Sequence, residues 1–375
     1  AVDIWGFYFP RYQYFVQHLS FESFTGNEYL PGAMLFFLLP GTIFLFLSQS
    51  WENYLSGLFI VNGLLMVLHI VLLKKISWYS PLIFLIIIFS SGPIVLYRHE
   101  LFVSAFVIIS IISAIKNRLF ISSFTLGVAT SIKIFPAFIF PYLFIVITKK
   151  YGIKKALKSS IIFTSGIICL TAIYLTVGSQ EEIKSALLIN SIKPLHAESV
   201  WASFIEIIYK FSLGYWIPGK GSNGIFGIDP AYIILPLEFY NYFWIVPISI
   251  FYLLIFKIKK IDLHAEIPFQ IILLFILFSK IITPQYLLWP FFIFPLVKIR
   301  KKNKLKSVII LSLISICLLI TQYLYPISYS ELLGVFFVTG KSEHLFYLLL
   351  TRNLLLIIIL AISFSNTILT NENNK

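Results

Sequence analysis

Long apolar segments alternate with short basic runs along the whole chain. Lysine and arginine cluster at 74–75, 116–118, 149–158, 257–260 and 298–306. Of the whole sequence, 59% is apolar and only 12% is charged, and the mean hydropathy is +0.91. Apolar segments of about 20 residues cross a membrane as helices, and basic residues mark their cytoplasmic ends. The pattern predicts an all-α, multi-pass membrane protein whose net charge of +13 faces anionic membrane lipids, with no nucleic-acid partner.

Two apolar stretches are too long for a single crossing. Leu119 to Ile147 and Ile267 to Val297 each have basic residues at both ends and one lysine near the middle. A helix of about 30 residues would run about 45 Å, whereas the hydrocarbon core is about 30 Å thick. Each stretch is therefore predicted to enter and leave on the cytoplasmic side, as two short helices meeting near Lys133 or Lys280. The local sequences are alike, Ser131-Ile-Lys-Ile-Phe-Pro136 and Ser279-Lys-Ile-Ile-Thr-Pro284.

The basic runs set the order of the predicted spans. Counting both halves of each hairpin, eleven membrane helices are expected, including 53–73, 77–96, 101–115, 158–178, 236–256, 307–325 and 345–365. We predict one domain over 1–375. It comprises an external loop with interfacial helices (1–52), a first helix group (53–178), an external loop (179–235) and a second helix group (236–375).

The odd number of spans puts the first residue outside the membrane. Removal of an initiator methionine and a missing upstream segment both explain a sequence that begins at Ala1. The topology favours an absent first span, which would make twelve. The segment Tyr29 to Ser48 is apolar but interrupted by Pro31 and Pro40. A crossing there would invert every later basic run, so we predict an interfacial helix on the outer face.

A few ionisable residues remain once the basic runs are set aside, and each has a structural alternative to a functional role. Side chains of this kind at membrane depth are costly and usually face a cavity or a partner. Lys133 and Lys280 are too deep to reach the cytoplasmic surface. Asp3 can instead be a solvated loop residue, and Arg98 with Glu100 can be a plain ion pair at the start of a helix. Arg352 can snorkel towards the outer surface, and His196 can be an ordinary loop residue. His69, midway through an apolar span, is expected to be a neutral packing histidine.

The sequence excludes several chemistries. It has no Walker-type glycine loop, no dinucleotide fingerprint, no zinc-spaced Cys or His cluster and no Gly-x-Ser-x-Gly elbow. What remains on the outer face is one or two acids, several cations and many aromatic residues. Such a set suits group transfer from a lipid-linked phosphate. The cations would hold the phosphate, an acid would take a proton from the acceptor hydroxyl, and aromatic rings would stack on a sugar.

Two motifs resemble a known enzyme group. The run from Gly127 to Pro141 resembles the Lys-x-x-Pro segment of glycosyltransferase family 87 and of the catalytic subunit of GPI mannosyltransferase I. Ser279-Lys-Ile-Ile-Thr-Pro-Gln-Tyr-Leu-Leu-Trp289 resembles their Lys-x-x-[Ser/Thr]-x-Gln-Tyr-x-x-Trp segment. The second is more specific, because helix packing gives no reason for Gln285, Tyr286 and Trp289 to recur at that spacing. With order and topology, the likeness extends over nearly the whole chain.

The resemblance implies a GT-C glycosyltransferase that uses a polyprenyl-phosphate sugar. It places Asp3 as the essential aspartate of the first external loop and Tyr29-Leu-Pro31 as the family's Tyr-x-Pro. Arg98-His-Glu100 matches an Arg-x-Asp pattern with glutamate in place of aspartate. A single aspartate stands where some relatives carry Asp-x-Asp, so a divalent metal is left open and no metal site or cofactor is predicted.

We therefore expect an inverting hexosyltransferase, a mannosyltransferase by resemblance, acting on a lipid or glycan acceptor at the extracytoplasmic face. Asp3 is the expected catalytic base. The expected donor phosphate-binding residues are Lys133, Lys280, Arg98, His196 and Arg352, supported by Glu100, Tyr29, Gln285 and Tyr286. A transporter or flippase of a lipid-linked anion would use the same lysines without needing Asp3. A non-catalytic scaffold that binds lipid phosphates would tolerate the loss of all these residues.

Overall fold

The computed structural model describes residues 4–21, 28–44, 49–214, 219–222, 225–258, 263–299, 303–332 and 343–372. These residues are overwhelmingly α-helical, with one short β-hairpin. The α-helices are α1 (Phe9–His18), α2 (Pro31–Phe36), α3 (Leu39–Thr42), α4 (Trp51–Lys74), α5 (Ser80–Ser91), α6 (Glu100–Ile115), α7 (Leu119–Ile132), α8 (Phe140–Tyr151), α9 (Ile153–Leu175), α10 (Gln180–Ile192), α11 (Val200–Leu213), α12 (Leu237–Tyr242), α13 (Ile245–Lys257), α14 (Glu266–Phe278), α15 (Leu288–Phe291), α16 (Lys304–Gln322) and α17 (Glu343–Glu372).

Strands β1 (Gly219–Ser222) and β2 (Ile225–Ile228) pair antiparallel, with Gly219 opposite Ile228. Single turns of 3₁₀ or π-helix join several of the helices. They lie at Ile4–Tyr8, Gly92–Val95, Phe135–Ile139, Pro230–Tyr232, Pro284–Leu287, Phe294–Leu296 and Tyr323–Ile327.

Five helical segments among the described residues are long and apolar enough to cross a membrane. They are Trp51–Lys74, Ile153–Leu175, Leu237–Lys257, Lys304–Ile327 and Glu343–Ser365. Within each, less than half of the most apolar window is buried by protein, as expected for helices whose remaining surface contacts lipid. This confirms an all-α membrane protein.

The first of the two long apolar stretches is divided into two helices at Lys133, as the sequence predicts. Helix α7 ends at Ile132, and Lys133 follows with an extended backbone (φ −149°, ψ 144°). The chain resumes as a 3₁₀ turn at Phe135–Ile139 and then as α8. Pro136 supports the break, because proline has no N–H to continue the hydrogen bonding of α7.

The second hairpin differs from the prediction in its second half. Helix α14 ends at Phe278, before Lys280, but no single helix of similar length follows. The chain instead forms short turns at Pro284–Leu287, Leu288–Phe291 and Phe294–Leu296. Pro290 and Pro295 lie within or beside these turns and prevent a continuous helix.

The described part of the segment from Tyr29 to Ser48 forms two short helices, α2 and α3. At six and four residues, each is far too short to cross a membrane. Ala33, Met34, Phe36 and Phe37 are at most 1% exposed. Much of the apolar surface of this segment is thus covered by protein.

The chain separates into two compact units. The first comprises Ala1–Phe84, Pro93–Asn190 and Ile255–Ala265, and the second comprises Leu85–Gly92, Ser191–Leu254 and Glu266–Lys375. In the first unit, α7 and α9 cross closely at Gly127 and Gly166, where any Cβ would collide with the main chain of the facing helix. Small residues at such crossings are typical of helices packed in membranes.

In the second unit, the segment 193–199 is buried throughout. It lies against β2, since the Ile228 N–H donates to the Leu195 carbonyl at 2.9 Å and the Ala197 N–H donates to the Phe226 carbonyl at 3.1 Å. Although it lies in a predicted external loop, this segment is part of the core of its unit. We call it the buried loop.

Candidate functional site

The predicted catalytic base, Asp3, lies outside the described residues. The residues that follow it form one turn of π-helix, Ile4–Tyr8. Ile4 is 0% exposed and Tyr8 is 1% exposed. Both ends of this turn are thus packed within the first unit.

Glu100 and Lys133 meet in the first unit. The Lys133 ammonium forms a hydrogen-bonded ion pair with Glu100 Oε1. The side chain of Glu100 is 1% exposed and that of Lys133 is 17% exposed. Glu100 is the first residue of α6, where a carboxylate also suits the positive end of the helix dipole. Thus the lysine at the break of the first hairpin has its charge balanced within the protein.

His99 lies beside this ion pair in a cage of aromatic rings. The rings of Tyr8, Tyr29, Phe36 and Phe37 have centroids 5.7–6.1 Å from the imidazole centroid. The Tyr8 hydroxyl is hydrogen-bonded to His99 Nδ1 at 3.1 Å. Burial lowers the pKa of His99 to about 3, the charge of Lys133 adds to this, and that of Glu100 opposes it. The ring is therefore neutral at neutral pH.

Arg98 and Tyr29, two further predicted residues, also belong to the first unit. Arg98 is 8% exposed, and its carbonyl accepts a hydrogen bond from Asn62 Nδ2 at 3.2 Å. The Tyr29 ring contacts that of Tyr8 and lies 5.5 Å from the guanidinium carbon of Arg11. The structure therefore brings Arg98, Glu100, Lys133 and Tyr29 into one region around His99.

Lys280 has a different environment in the second unit. It is 4% exposed, and its ammonium donates to the carbonyls of Ser191 and Lys193 at 2.9 and 2.7 Å. In the described part of the chain, no carboxylate lies within ion-pair distance of this ammonium. The exposed Glu238 acts on it only through a longer-range electrostatic interaction. Two of the three ammonium hydrogens are thus used, and the charge is not balanced by an adjacent acid.

His196 is joined to Lys280 through the main chain. The His196 N–H donates to the Lys280 carbonyl at 3.0 Å. The side chain is buried, and Nδ1 has no hydrogen-bond partner among the described residues. Burial lowers the pKa of His196 to about 3, with a further contribution from the charge of Arg352. Like His99, it is a neutral ring at neutral pH.

Arg352 is 0% exposed and holds the far end of the buried loop. Nη1 donates to Glu198 Oε2 at 2.7 Å and Nη2 donates to the Glu198 carbonyl at 2.6 Å. The neighbouring Asn353 amide donates to Ser203 Oγ at 2.8 Å and accepts from Arg352 Nη2 at 3.0 Å. Burial raises the pKa of Glu198 and the Arg352 charge opposes this. Arg352 therefore joins α17 to the loop that carries His196.

The motif residues after Lys280 form an aromatic contact. Tyr286 stacks on Trp289, with ring centroids 4.0 Å apart, and Trp289 is 4% exposed. Gln285 and Tyr286 are half-buried. The turn at Pro284–Leu287 places the side chains of Tyr286 and Trp289 on the same side of the chain, where they stack.

Sequence reasoning missed Tyr8, Arg11, Glu198 and Asn353 as members of these regions. Arg11 is 5% exposed, and its only visible signal was its place as a lone charge in an aromatic-rich segment. Glu198 stands next to Ser199, whose side chain accepts from the Ala202 N–H at the start of α11. Among the described residues, no group of three or more His, Cys, Asp or Glu side chains forms a metal-binding cluster.

No family model matches this chain, and no curated protein matches its sequence.

Proposed function

We propose that this protein is a GT-C-type hexosyltransferase that moves a sugar, by resemblance mannose, from a polyprenyl phosphate to a lipid or glycan acceptor. The proposal includes about eleven membrane helices in this chain and reaction at the extracytoplasmic face. It rests on the resemblance of two motifs, one at Lys133 and one from Lys280 to Trp289, and on the chemistry of the residues around them.

The observation that supports it most is the state of Lys280. A buried ammonium whose neighbours are carbonyls pays a desolvation cost that neutral partners only partly offset. An anion brought close to Nζ would offset it and would use the remaining N–H. The phosphate of a lipid-linked sugar has the charge and the geometry for this role.

The proposed reaction is a single displacement. The acceptor hydroxyl oxygen forms a bond to C1 of the sugar as the bond between C1 and the phosphate oxygen breaks, with inversion at C1. The Asp3 carboxylate takes the hydroxyl proton, and polyprenyl phosphate leaves with the electron pair. A leaving phosphate needs no proton from an acid, so one carboxylate is sufficient.

We assign the donor phosphate first to Lys280, with His196 beside it. Lys133 and Arg352 are each paired with a glutamate, so their positive charge is already balanced. In this proposal Lys133 and Arg98 contribute positive potential in the first unit, and Arg352 holds the buried loop of the second. Glu100, Tyr29, Gln285 and Tyr286 are supporting residues.

The test is a transfer assay with purified full-length protein. Labelled polyprenyl-phosphate mannose is incubated with lipid and glycan acceptors, and the products are separated and identified. We expect a mannosylated product from wild type, none from Asp3→Asn, and at least about tenfold weaker use of the donor by Lys280→Met, since a hydrogen bond to a charged group is lost. Lys184→Met is the matched control, because Lys184 is 63% exposed.

Normal transfer by Asp3→Asn would remove the assignment of the base. If the wild type makes no product but moves the lipid-linked sugar across vesicles, and Asp3→Asn does the same, the protein is a transporter. Equal donor use by Lys280→Met and Lys184→Met would contradict the role of Lys280.

A further inference from the structure

Two adjacent side chains in the first unit each keep one buried polar atom without a hydrogen-bond partner. Among the described residues, neither His99 Nε2 nor Glu100 Oε2 has such a partner. His99 is 2% exposed and Glu100 is 1% exposed. An unsatisfied buried polar group destabilises the folded protein, and a charged one does so more strongly. Two of them on consecutive residues indicate a site that is completed by something else.

The orientation of both atoms is set by contacts at the other end of each group. His99 Nδ1 is held by the Tyr8 hydroxyl at 3.1 Å, and Glu100 Oε1 is held by the Lys133 ammonium. The main chain before them is held by Asn62, which donates to the carbonyls of Leu96 and Arg98 at 2.8 and 3.2 Å. Nε2 and Oε2 are therefore fixed in place before any ligand arrives, as in a pre-organised binding site.

The charges around the pair select the class of ligand. A phosphate or carboxylate would be repelled by Glu100, and a metal ion or amine would be repelled by the Lys133 ammonium. A neutral hydroxyl satisfies both atoms, because its single O–H donates to the carboxylate while its oxygen accepts from the imidazole N–H. This arrangement uses the neutral tautomer with the proton on Nε2, in which Nδ1 accepts from the Tyr8 hydroxyl.

The surroundings of the pair favour a sugar over a simple alcohol. Four aromatic rings, from Tyr8, Tyr29, Phe36 and Phe37, surround the imidazole, and aromatic rings provide flat apolar surface for the carbon faces of a sugar. Tyr29 is half-buried and the Lys133 side chain is 17% exposed. Both residues that contact the pair therefore retain some exposure to the surroundings of the protein.

We propose that His99 Nε2 and Glu100 Oε2 form a binding site for a sugar hydroxyl in the first unit. The choice of mannose as the probe rests on the proposed function, whereas the hydroxyl chemistry rests on the contacts above. The sugar can be that of the lipid-linked donor or that of the acceptor, and these two sources are separated by the choice of probe.

The experiment measures binding to purified full-length protein in detergent by titration calorimetry. The probes are polyprenyl phosphate, polyprenyl-phosphate mannose and methyl α-mannoside. The variants are Glu100→Gln, which keeps the shape of the side chain, and His99→Phe, which fills the same aromatic cage without polar atoms. His69→Phe is the matched control, because His69 is also buried but both its ring nitrogens are hydrogen-bonded, to Leu65 and Ser104 at 2.7 Å.

We expect both variants to weaken binding of one mannose-bearing probe by about tenfold, the value of one or two good hydrogen bonds. If binding of polyprenyl-phosphate mannose weakens, the sugar is that of the donor. If binding of methyl α-mannoside weakens, the sugar is that of the acceptor. Binding of polyprenyl phosphate should not weaken in either variant, and His69→Phe should bind all three probes as wild type does.

The proposal is overturned if both variants bind all probes as wild type does, since Nε2 and Oε2 then meet only water. It is equally overturned if binding of polyprenyl phosphate weakens as much as that of the mannosyl lipid. Should Glu100→Gln fail to fold, the double variant Glu100→Gln/Lys133→Met removes both charges of the ion pair, and the ratio of its affinities for polyprenyl-phosphate mannose and polyprenyl phosphate is compared with that of wild type. Transfer by wild type with unchanged sugar binding in the variants leaves the proposed function standing and removes this site alone. If sugar binding depends on these residues but the protein transfers no sugar, this site stands and the proposed function is removed.

Discussion

The two lysines that follow the first helix of each hairpin have similar local sequences but different partners. Lys133 forms an ion pair with Glu100, whereas Lys280 is held by the carbonyls of Ser191 and Lys193. Both side chains leave the main chain where a helix has ended. The difference teaches that a local motif fixes where a charge is placed, while distant segments decide whether that charge is balanced.

The largest expected effect comes from breaking the ion pair on one side only. Lys133→Met leaves the Glu100 carboxylate buried without its cation, and such a loss costs about 3–5 kcal/mol. Lys280→Met removes hydrogen bonds to carbonyls but leaves no charge unpaired, so we expect a smaller loss. Unfolding in detergent, followed by circular dichroism, measures both.

The double variant Glu100→Gln/Lys133→Met is the control for this comparison. Because it removes both charges, it should recover most of the stability that Lys133→Met loses. A larger loss for Lys280→Met than for Lys133→Met, or no recovery in the double variant, would show that the two environments do not differ in this way.

The next effect concerns pH, because each lysine has a buried histidine in its own unit. His99 and His196 both have a pKa of about 3, against about 6.5 for an unfolded histidine. Between these values the unfolded chain binds protons that the folded protein does not. Stability is therefore full above about pH 6.5 and falls as the pH drops towards 3, by about 1.4 kcal/mol per pH unit for each histidine.

Measurement of the unfolding free energy from pH 8 to pH 5 tests this expectation. His99→Phe and His196→Phe should each make the loss of stability on acidification smaller, and replacing both should reduce it further. His18→Gln, at an exposed position, serves as the control and should leave the pH dependence as it is. A pH dependence as steep after both buried replacements as in wild type would contradict the shifted pKa values.

The smallest effect sharpens the role of burial. Lys184 and Glu181 form an ion pair at 2.7 Å whose side chains are 63% and 79% exposed. Lys184→Met should change the unfolding free energy by less than about 0.5 kcal/mol, because exposed pairs one helical turn apart are worth little. A cost near that of Lys133→Met would mean that solvent exposure does not explain the difference between these pairs.

Much of the helical architecture follows from local sequence. Apolar length and basic ends predict the long helices, and the break at Lys133 was expected from the length of its stretch. The second hairpin was less predictable, since Pro290 and Pro295 divide its later half into short turns. Proline acts on the helix that would contain it, but the sequence does not say which turns replace that helix.

The candidate sites were predictable only as a set of residues. Lys133, Lys280, His196 and Arg352 were named from their type and depth, yet the pairing of Glu100 with Lys133 joins residues 33 positions apart. The pairing of Glu198 with Arg352 joins residues 154 positions apart. Neither partner follows from a pattern, because side-chain pairing depends on which helices pack together. Tyr8 and Glu198 were missed for the same reason.

By itself the sequence determined that this is an α-helical membrane protein with two apolar stretches, each carrying a lysine near its middle. Backbone hydrogen bonding in lipid must be satisfied within each segment, so length, hydropathy and charge at the ends are sufficient to predict it. Only the tertiary structure decided which of those lysines meets an acid and which meets carbonyls. It also decided that His99 and Glu100 each keep one buried polar atom without a hydrogen-bond partner among the described residues. Those outcomes depend on distances between segments far apart in the chain, and burial makes each of them energetically large.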